Sequence, residues 1–591
     1  MQLSSSAREA FVAPTASKAR SPSLLNLLAP SCSTKRGRQC LKQWLERPCV
    51  DPDVLMERHD TVDAVVSAVS ETSAVLWKLS SLFQHVQSYE RELALFTSLT
   101  RGTADNSADV KLSLADFAGL QKWLSEFQAL AERCLGDEDC AIGLGSLYTT
   151  RLRPMHDLCS RQLQPFSNLI QEVVASMESS DHLDQDMMKV ATESEIKLST
   201  SPLQELRTQI HQCELDVAVG VKQAATLLCI AEDRIKVLYA DDEQPNIMRM
   251  GIVLRVCRQD SHRVQQQSGE KLSVIRASRA SGVWFSTPTI DSLGAKWKSL
   301  KRSYEDAEAG LVASLLSEFQ ANFHDHLNDL AVRVAELDVL VSFALVSHKH
   351  KFVRASTSKL LSMIRLQGIF DPFEQHTRNT PSQFSSSTIE LSVLEGKTFL
   401  LLDGDEKSGQ ASLLQLLGIV VMLNQLGCFV PCKEALLPVF DAICLRAGAY
   451  DQQLYGYSTF MTEMREMSHI FSVMTPTSLV LIEDLCRGTS TSEGLALALS
   501  MCLHLMESQT LTCFSSQWRE LNDHLAEQPS STRPMWAPTN NGRSNPRPGD
   551  SFQKSSQDSA EFEELMRECD LPADLIARIG DEMHLQGLLK F

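Results

Sequence analysis

Between residues 63 and 240 apolar positions recur every three or four residues and glycines are few, a spacing that predicts a series of long helices. Breaks in that pattern fall at Gly102–Ser107 and Asp181–Leu203. Upstream, Leu41, Trp44 and Leu45 mark one face of a helix that stops at Pro48, and a second helix starts after Asp51 with Pro52 at its first position. The pattern changes over 241–290, where IVLRV and KLSVIRA read as strands and VWFSTP carries the aromatic pair Trp284-Phe285. Helical spacing returns from Leu293 to Leu345. From 371 to 526 strand and helix patterns alternate, which predicts a parallel sheet with crossover helices. Residues 527–559 are rich in Pro, Ser, Asn and Gly and read as a disordered linker. Residues 560–591 read as two short helices meeting at Leu571-Pro572.

The most apolar long run, Ala411 to Val430, is broken by Gln415, Asn424 and Gln425, so it reads as a buried helix and not a membrane span. At 591 residues the chain has room for three or four domains, and 43% hydrophobic with 22% charged residues is the composition of soluble globular domains. Sixteen cysteines lie at scattered spacings with no CxxC pair, Cys428 and Cys432 being the closest, which points to reduced thiols in an intracellular protein. His348 and His350 read as surface residues and not as metal ligands. Residues 1–22, rich in Ser and Ala, read as a disordered tail with no secretory signal.

A net charge of −18 argues against indiscriminate nucleic-acid binding, but the charge is uneven. Arg249 to Arg302 holds eleven Lys and Arg against three acids, a balance of +8 that leaves −26 on the rest. A basic island in an acidic chain is the footprint of one DNA-contacting element. Its candidate phosphate contacts are Arg255, Arg258, Arg263, Lys271, Arg276 and Arg279. A solvated basic helix face accounts equally well for the count.

The apolar run Leu479-Val480-Leu481-Ile482 ends in two carboxylates, Glu483 and Asp484, followed by a Gly/Ser/Thr turn. An ATPase sheet presents groups to Mg²⁺ and water in this way. A second strand, KTFLLLD, runs into Gly404 and then Ser408-Gly409-Gln410-Ala411-Ser412. Its glycines have the separation of the phosphate loop GxxxxGK[ST], in which backbone amides cradle phosphate, Lys neutralises it and the hydroxyl holds Mg²⁺. Here Gln410 stands at the Lys position and Ala411 at the hydroxyl position. Asp403, Asp405 and Glu406 face Lys407 alone, and like charges ~4 Å apart in partly screened surroundings cost roughly 4 kcal/mol. Ser412 is ~100° further round the helix. The loop therefore reads as unable to bind MgATP tightly.

These blocks resemble the MutS family of DNA mismatch-repair proteins. The turn Lys35-Arg36-Gly37, followed by Leu41, Lys42, Trp44, Leu45, Pro48, Asp51, Arg58, Asp60 and Val62, is similar to the start of that family's core domain. Ala335-Glu336-Leu337-Asp338-Val339-Leu340 and Lys351-Phe352-Val353-Arg354 resemble its returning arm and the entry to its ATPase domain. Ser458-Thr459-Phe460-Met461 with Glu463-Met464 resembles its STFM..EM, and Gly488-Thr489-Ser490-Thr491 with Gly494 its GT[SN]T..G. The likeness spans roughly residues 23–526 and the tail.

The resemblance implies a multidomain chain. A disordered tail at 1–22 would lead into long α-helical core and lever arms over 23–240. A small mixed α/β DNA clamp over 241–292 and returning helices over 293–370 would follow. An α/β P-loop ATPase domain of the ABC type over 371–526, a linker over 527–559 and a C-terminal helical dimerisation pair over 560–591 would complete it. No mismatch-reading or connector domain is expected before residue 23. The family holds MgATP with the positions of Gly404, Ser408, Gly409, Gln410, Ala411 and Ser412, with Glu483 as Mg²⁺ ligand and Asp484 as the catalytic acid. The order Glu-Asp reverses the family's Asp-Glu, and a misplacement of about 1 Å can cost ~100-fold in rate. The family's switch histidine maps onto Gln517. By contrast, Ser458, Thr459, Gly488 and Thr489 match elements that reach a partner subunit's nucleotide. The expectation is a nuclear, non-membrane DNA-binding subunit of a heterodimer with another MutS homologue. It is similar to the meiotic members that act on branched recombination DNA, with a degenerate ATP site of its own. The alternatives are an ATP-dependent mismatch-repair protein and a scaffold that binds no DNA.

Overall fold

The computed structural model describes all residues except 13–22, 72, 100–111, 136–146, 179–200, 240–250, 267–271, 279–281, 359–361, 374–387, 404–409, 448–458, 484, 487–488, 490, 517–518, 527–534 and 539–591, of which last stretch only Leu575 is described. The described strands are β1 (Gln2–Leu3), β2 (Ile235–Tyr239), β3 (Ile252–Val256), β4 (Ser273–Ser278), β5 (Gly282–Ser286), β6 (Ser356–Ser358), β7 (Met363–Gln367), β8 (Thr388–Ser392), β9 (Phe399–Asp403), β10 (Glu434–Pro438), β11 (Ala442–Arg446), β12 (Leu479–Glu483), β13 (Leu511–Ser516) and β14 (Met535–Pro538). The chain divides into two compact units, one built from 1–88, 129–156 and 331–591, the other from 89–128 and 157–330.

The first unit is built on a six-stranded sheet in the order β1-β11-β12-β13-β9-β14, parallel throughout. β12 and β13 are buried along nearly their whole length because helices cover both faces of a parallel sheet. On one side Met464 and Met467 of the helix Thr459–Val473, and Leu497 and Met501 of the helix Thr491–Glu507, pack with Val480, Ile482 and Phe514. Leu575 is buried in the same cluster. The helix Gln410–Leu426 contains most of the apolar run that reads as a buried helix, and Leu414, Leu417, Val420 and Leu423 are indeed buried. A second sheet, β6-β10-β7-β8, joins one parallel pair to two antiparallel ones.

Three expectations need correction in this unit. Residues 2–11, read as tail, are folded: β1 pairs with β11, and Phe11 of the helix Ser5–Phe11 is buried on Gly418, where an added Cβ would lie 2.2 Å from the ring. The linker reading of 527–559 fails at 535–538, which pair with β9 as the parallel strand β14. His350 is buried against Phe352, with ring centroids 5.7 Å apart, whereas His348 is exposed. The turn at Lys35-Arg36-Gly37 is the first turn of the helix Lys35–Glu46, capped by Thr34.

In the second unit the helices Ser201–Leu228 and Pro288–Glu318 carry the sheet β2-β3-β5-β4, antiparallel throughout. Ile252, Leu254, Val256, Val283 and Phe285 face Val217, Val221, Ala224, Ile290 and Trp297 of the two helices. The sheet starts at Ile235, six residues earlier than the sequence boundary at 241, and the second helix starts at Pro288, inside it. Phe96, Phe117, Phe166 and Phe319 pack edge to face and tilted elsewhere in this unit, with centroids 5.0–6.3 Å apart.

Candidate functional site

The first candidate site is the carboxyl edge of the six-stranded sheet. Register places Ile482 beside Arg446, Glu483 beside Ser515, and Ser516 beside Asp403, so four parallel strands end together. Gln410 is the first residue of the helix that follows β9, with Ala411 and Ser412 next. The phosphate-loop Lys and hydroxyl positions thus fall in a helix first turn, where backbone N–H groups favour anions. An amide and a methyl group occupy them here. Glu483, half-buried, closes β12. Gly404, Ser408, Gly409 and Asp484 lie outside the described residues, as do Ser458, Gly488 and Gln517.

Among the described residues at this edge Arg446 is a buried cation held by ion pairs. Nη1 donates to the Glu483 carbonyl at 2.9 Å, Nη2 pairs with Glu463, and Nε lies 3.8 Å from Glu466. Glu463 also accepts from the Cys486 backbone N–H at 3.1 Å. Arg446 and Glu463 are both buried, so removing either one leaves an uncompensated charge. The bridge binds the end of β11 to the end of β12 and to the Thr459–Val473 helix. Cys486 adopts φ +65, a conformation in which an L side chain is strained, and burial together with nearby Glu463 pushes its thiol well up. Burial also pushes the Cys428 and Cys432 thiols up to about 12, so both are protonated at neutral pH. Among the described side chains at this edge, Glu483 closes β12 and the Arg446 guanidinium is paired.

The Ser458–Met461 and Gly488–Thr491 motifs have a different setting. Thr459 opens the helix Thr459–Val473 and Thr491 opens the helix Thr491–Glu507, so both motifs end in helix N-termini. The Thr489 hydroxyl donates to Glu493 at 3.0 Å.

The second candidate site is the four-stranded sheet of the second unit. Cross-strand register aligns Lys236 with Arg255, Arg255 with Trp284, and Trp284 with Arg276. Directly opposed residues share a face, so three cations and an indole form one row across four strands. It is the face turned away from the two helices, because the alternate residues Leu254, Val256, Val283 and Phe285 fill the helix-facing core. The Arg255 and Arg276 guanidiniums lie 5.7 Å and 5.4 Å from the Trp284 ring centroid. Trp284 is buried with Val253, and Leu238 and Ile275 pack against them.

Of the other candidate phosphate contacts, Arg258 is exposed in the turn Arg258–Asp260. The Arg263 guanidinium donates to the Cys229 carbonyl just past the Ser201–Leu228 helix, and so ties down the short helix Ser261–Gln266. Lys271 and Arg279 lie outside the described residues. Lys236 escaped the sequence reading because it precedes the basic island. The signal that could have found it was alternation in IKVLY, which puts Lys236 and Leu238 on one face.

The family model for MutS domain III matches residues 4–344, and that for MutS domain V matches residues 400–540. The chain is similar to "DNA mismatch repair protein msh-2" of Neurospora crassa, 27% identical over 86% of this chain and 51% of the relative. It is 26% identical to "DNA mismatch repair protein MSH2" of Saccharomyces cerevisiae, over 84% and 49%. It is 27% identical to "DNA mismatch repair protein MutS" of Leuconostoc mesenteroides, over 85% and 53%. The chain spans about half the length of these curated relatives.

Proposed function

Because the chain belongs to the MutS family, we propose that it is a DNA-binding subunit of a MutS-type dimer whose own nucleotide site is idle and whose trans elements serve a partner. The observation that carries this reading is the first turn of the Gln410–Leu426 helix, where Gln410 and Ala411 supply neither the cation nor the hydroxyl that MgATP needs. Beside it, the Ser458-Thr459 and Gly488-Thr489 motifs are retained, each leading into a helix N-terminus suited to an anion. A site decayed in cis and kept in trans is the pattern of a subunit that completes another's active site. The partner is a second MutS homologue with an intact phosphate loop, the complex works in the nucleus, and its cofactor is ATP with Mg²⁺ held by that partner. Among the described residues no helix is long and apolar enough to cross a membrane.

The DNA acted on is branched recombination DNA, a reading supported by the likeness of residues 286–308 to meiotic members of the family. Mismatch repair is the second reading, favoured by the names of the relatives. Binding of the purified heterodimer to a four-way junction and to a mismatched duplex separates the two: preference for the junction supports the first, preference for the mismatch the second. Co-purification with a homologue bearing an intact loop, and loss of that partner's ATPase activity on Thr489→Ala, test the dimer. A partner whose activity is the same with and without this chain contradicts it.

A further inference from the structure

Resting on the dimer reading above, we infer that Glu463 and Arg446 are positioning residues for the Gly488-Thr489 motif, and that through it they set the activity of the partner's nucleotide site. Three observations carry the assignment. First, the buried pair grips both ends of the segment that leaves β12. Arg446 Nη1 donates to the Glu483 carbonyl at 2.9 Å, and Glu463 Oε2 accepts from the Cys486 backbone N–H at 3.1 Å. Glu463 Oε1 closes the frame by pairing with Arg446 Nη2. Second, Glu463 lies one turn into the helix that Thr459 opens, and Cys486 precedes Thr489 by three residues. One carboxylate therefore joins the two segments that carry the retained motifs. Third, Cys486 holds φ +65 while fully buried. A residue with a side chain stays in that region only where its surroundings over-determine it, and the Glu463 carboxylate is one of those constraints.

Stability does not account for the pair. Replacing a buried ion pair by apolar side chains of similar volume is often neutral or stabilising. Two charges kept at 2% and 4% side-chain exposure are therefore assigned to placement.

The test uses the heterodimer purified with its co-purifying MutS homologue, with steady-state MgATP hydrolysis divided by the dimer recovered on size exclusion. Arg446→Met/Glu463→Met removes both charges together and leaves the Cys486 N–H without its acceptor, while Glu466 keeps the Ser6 hydroxyl as a donor. The double variant is expected to melt close to the wild type. Its kcat per dimer should fall at least about tenfold with little change in KM, since a misplacement on the order of 1 Å can cost ~100-fold. Adding Thr489→Ala should then cost less than about twofold more, because both lesions act through one segment, whereas a merely structural role makes the two losses multiply. Glu463→Gln, whose amide oxygen still accepts from the Cys486 N–H, should retain most of the kcat per dimer that Glu463→Ala loses. That contrast decides should the double-methionine variant fail to fold. Equal kcat per dimer in Glu463→Gln and Glu463→Ala, or losses that multiply, overturns the positioning role alone. An unchanged partner activity on Thr489→Ala overturns the dimer reading and this inference with it.

Discussion

Asp338, in the helix His324–His350, accepts from both the backbone N–H and the hydroxyl of Thr34, each at 2.8 Å, across more than three hundred residues of sequence. Its other oxygen accepts from the Ser33 N–H at 2.9 Å, while Thr34 caps the helix Lys35–Glu46 through the Gly37 N–H. Gly37 is required there, because an added Cβ would lie 2.1 Å from the Asp338 carboxylate. Burial raises the Asp338 carboxyl above its ordinary range, and the Thr34 and Ser33 donors oppose that rise.

Asp338→Ala strands three donors, the two of Thr34 buried and that of Ser33 half-buried, at about 1 kcal/mol each. Urea unfolding is expected to show a loss of about 3 kcal/mol, and Gly37→Ala a loss of similar direction. A loss under 0.5 kcal/mol for Asp338→Ala would remove this contact as a structural tie.

Phe11 is expected to anchor the amino-terminal residues to the parallel sheet. Phe11→Ala removes a buried ring from Gly418 and should cost about 3–5 kcal/mol of stability in the first unit. Limited proteolysis should then cut within residues 1–12, whereas the wild type resists there.

His59 supplies a pH dependence. Burial first, then the nearby Arg354 charge, depress its pKa to about 4, against the opposing Cys428 and Asn424 carbonyls and Asp60. Between pH 6.5 and about 4 the unfolded chain takes up a proton that the folded chain does not, so stability falls as pH falls through that window and is unaffected above it. A shift of this size corresponds to ~3 kcal/mol. His59→Leu is expected to flatten that part of the pH–stability curve, read by thermal melts from pH 7 to pH 4; an unchanged slope would assign it to other groups.

Restoring the phosphate loop separates binding from hydrolysis. Gln410→Lys with Ala411→Ser places a cation and a hydroxyl in the first turn of the Gln410–Leu426 helix, and MgATP affinity is expected to rise by at least about tenfold, ~1.4 kcal/mol. Hydrolysis should stay near background because the Glu483-Asp484 order is untouched. Isothermal titration and phosphate-release assays on the same preparation check both.

Much of the fold was legible from periodicity, because burial imposes it locally. IVLRV, KLSVIRA and VWFSTP contain β3, β4 and β5, and the apolar run after Ala411 is a buried helix. What stayed hidden depends on partners distant in sequence. Gln2–Leu3 form a strand only because β11 is there to pair with, and Met535–Pro538 only because β9 is. His350 looks like surface in the run His-Lys-His, and only the packing of Phe352 shows that it is inside. The substitutions at Gln410 and Ala411 were visible in sequence, since a motif position can be read without a structure. The Arg446–Glu463 bridge and the Lys236–Arg276 row were not, because each needs the register of neighbouring elements.

The central claim is an idle cis site, and the direct measurement is equilibrium binding of MgATP to the purified wild-type chain by titration calorimetry. No saturable binding at micromolar nucleotide is the result expected, with binding appearing only in a complex with an intact-loop MutS partner. Tight, stoichiometric MgATP binding by the isolated chain would contradict the account.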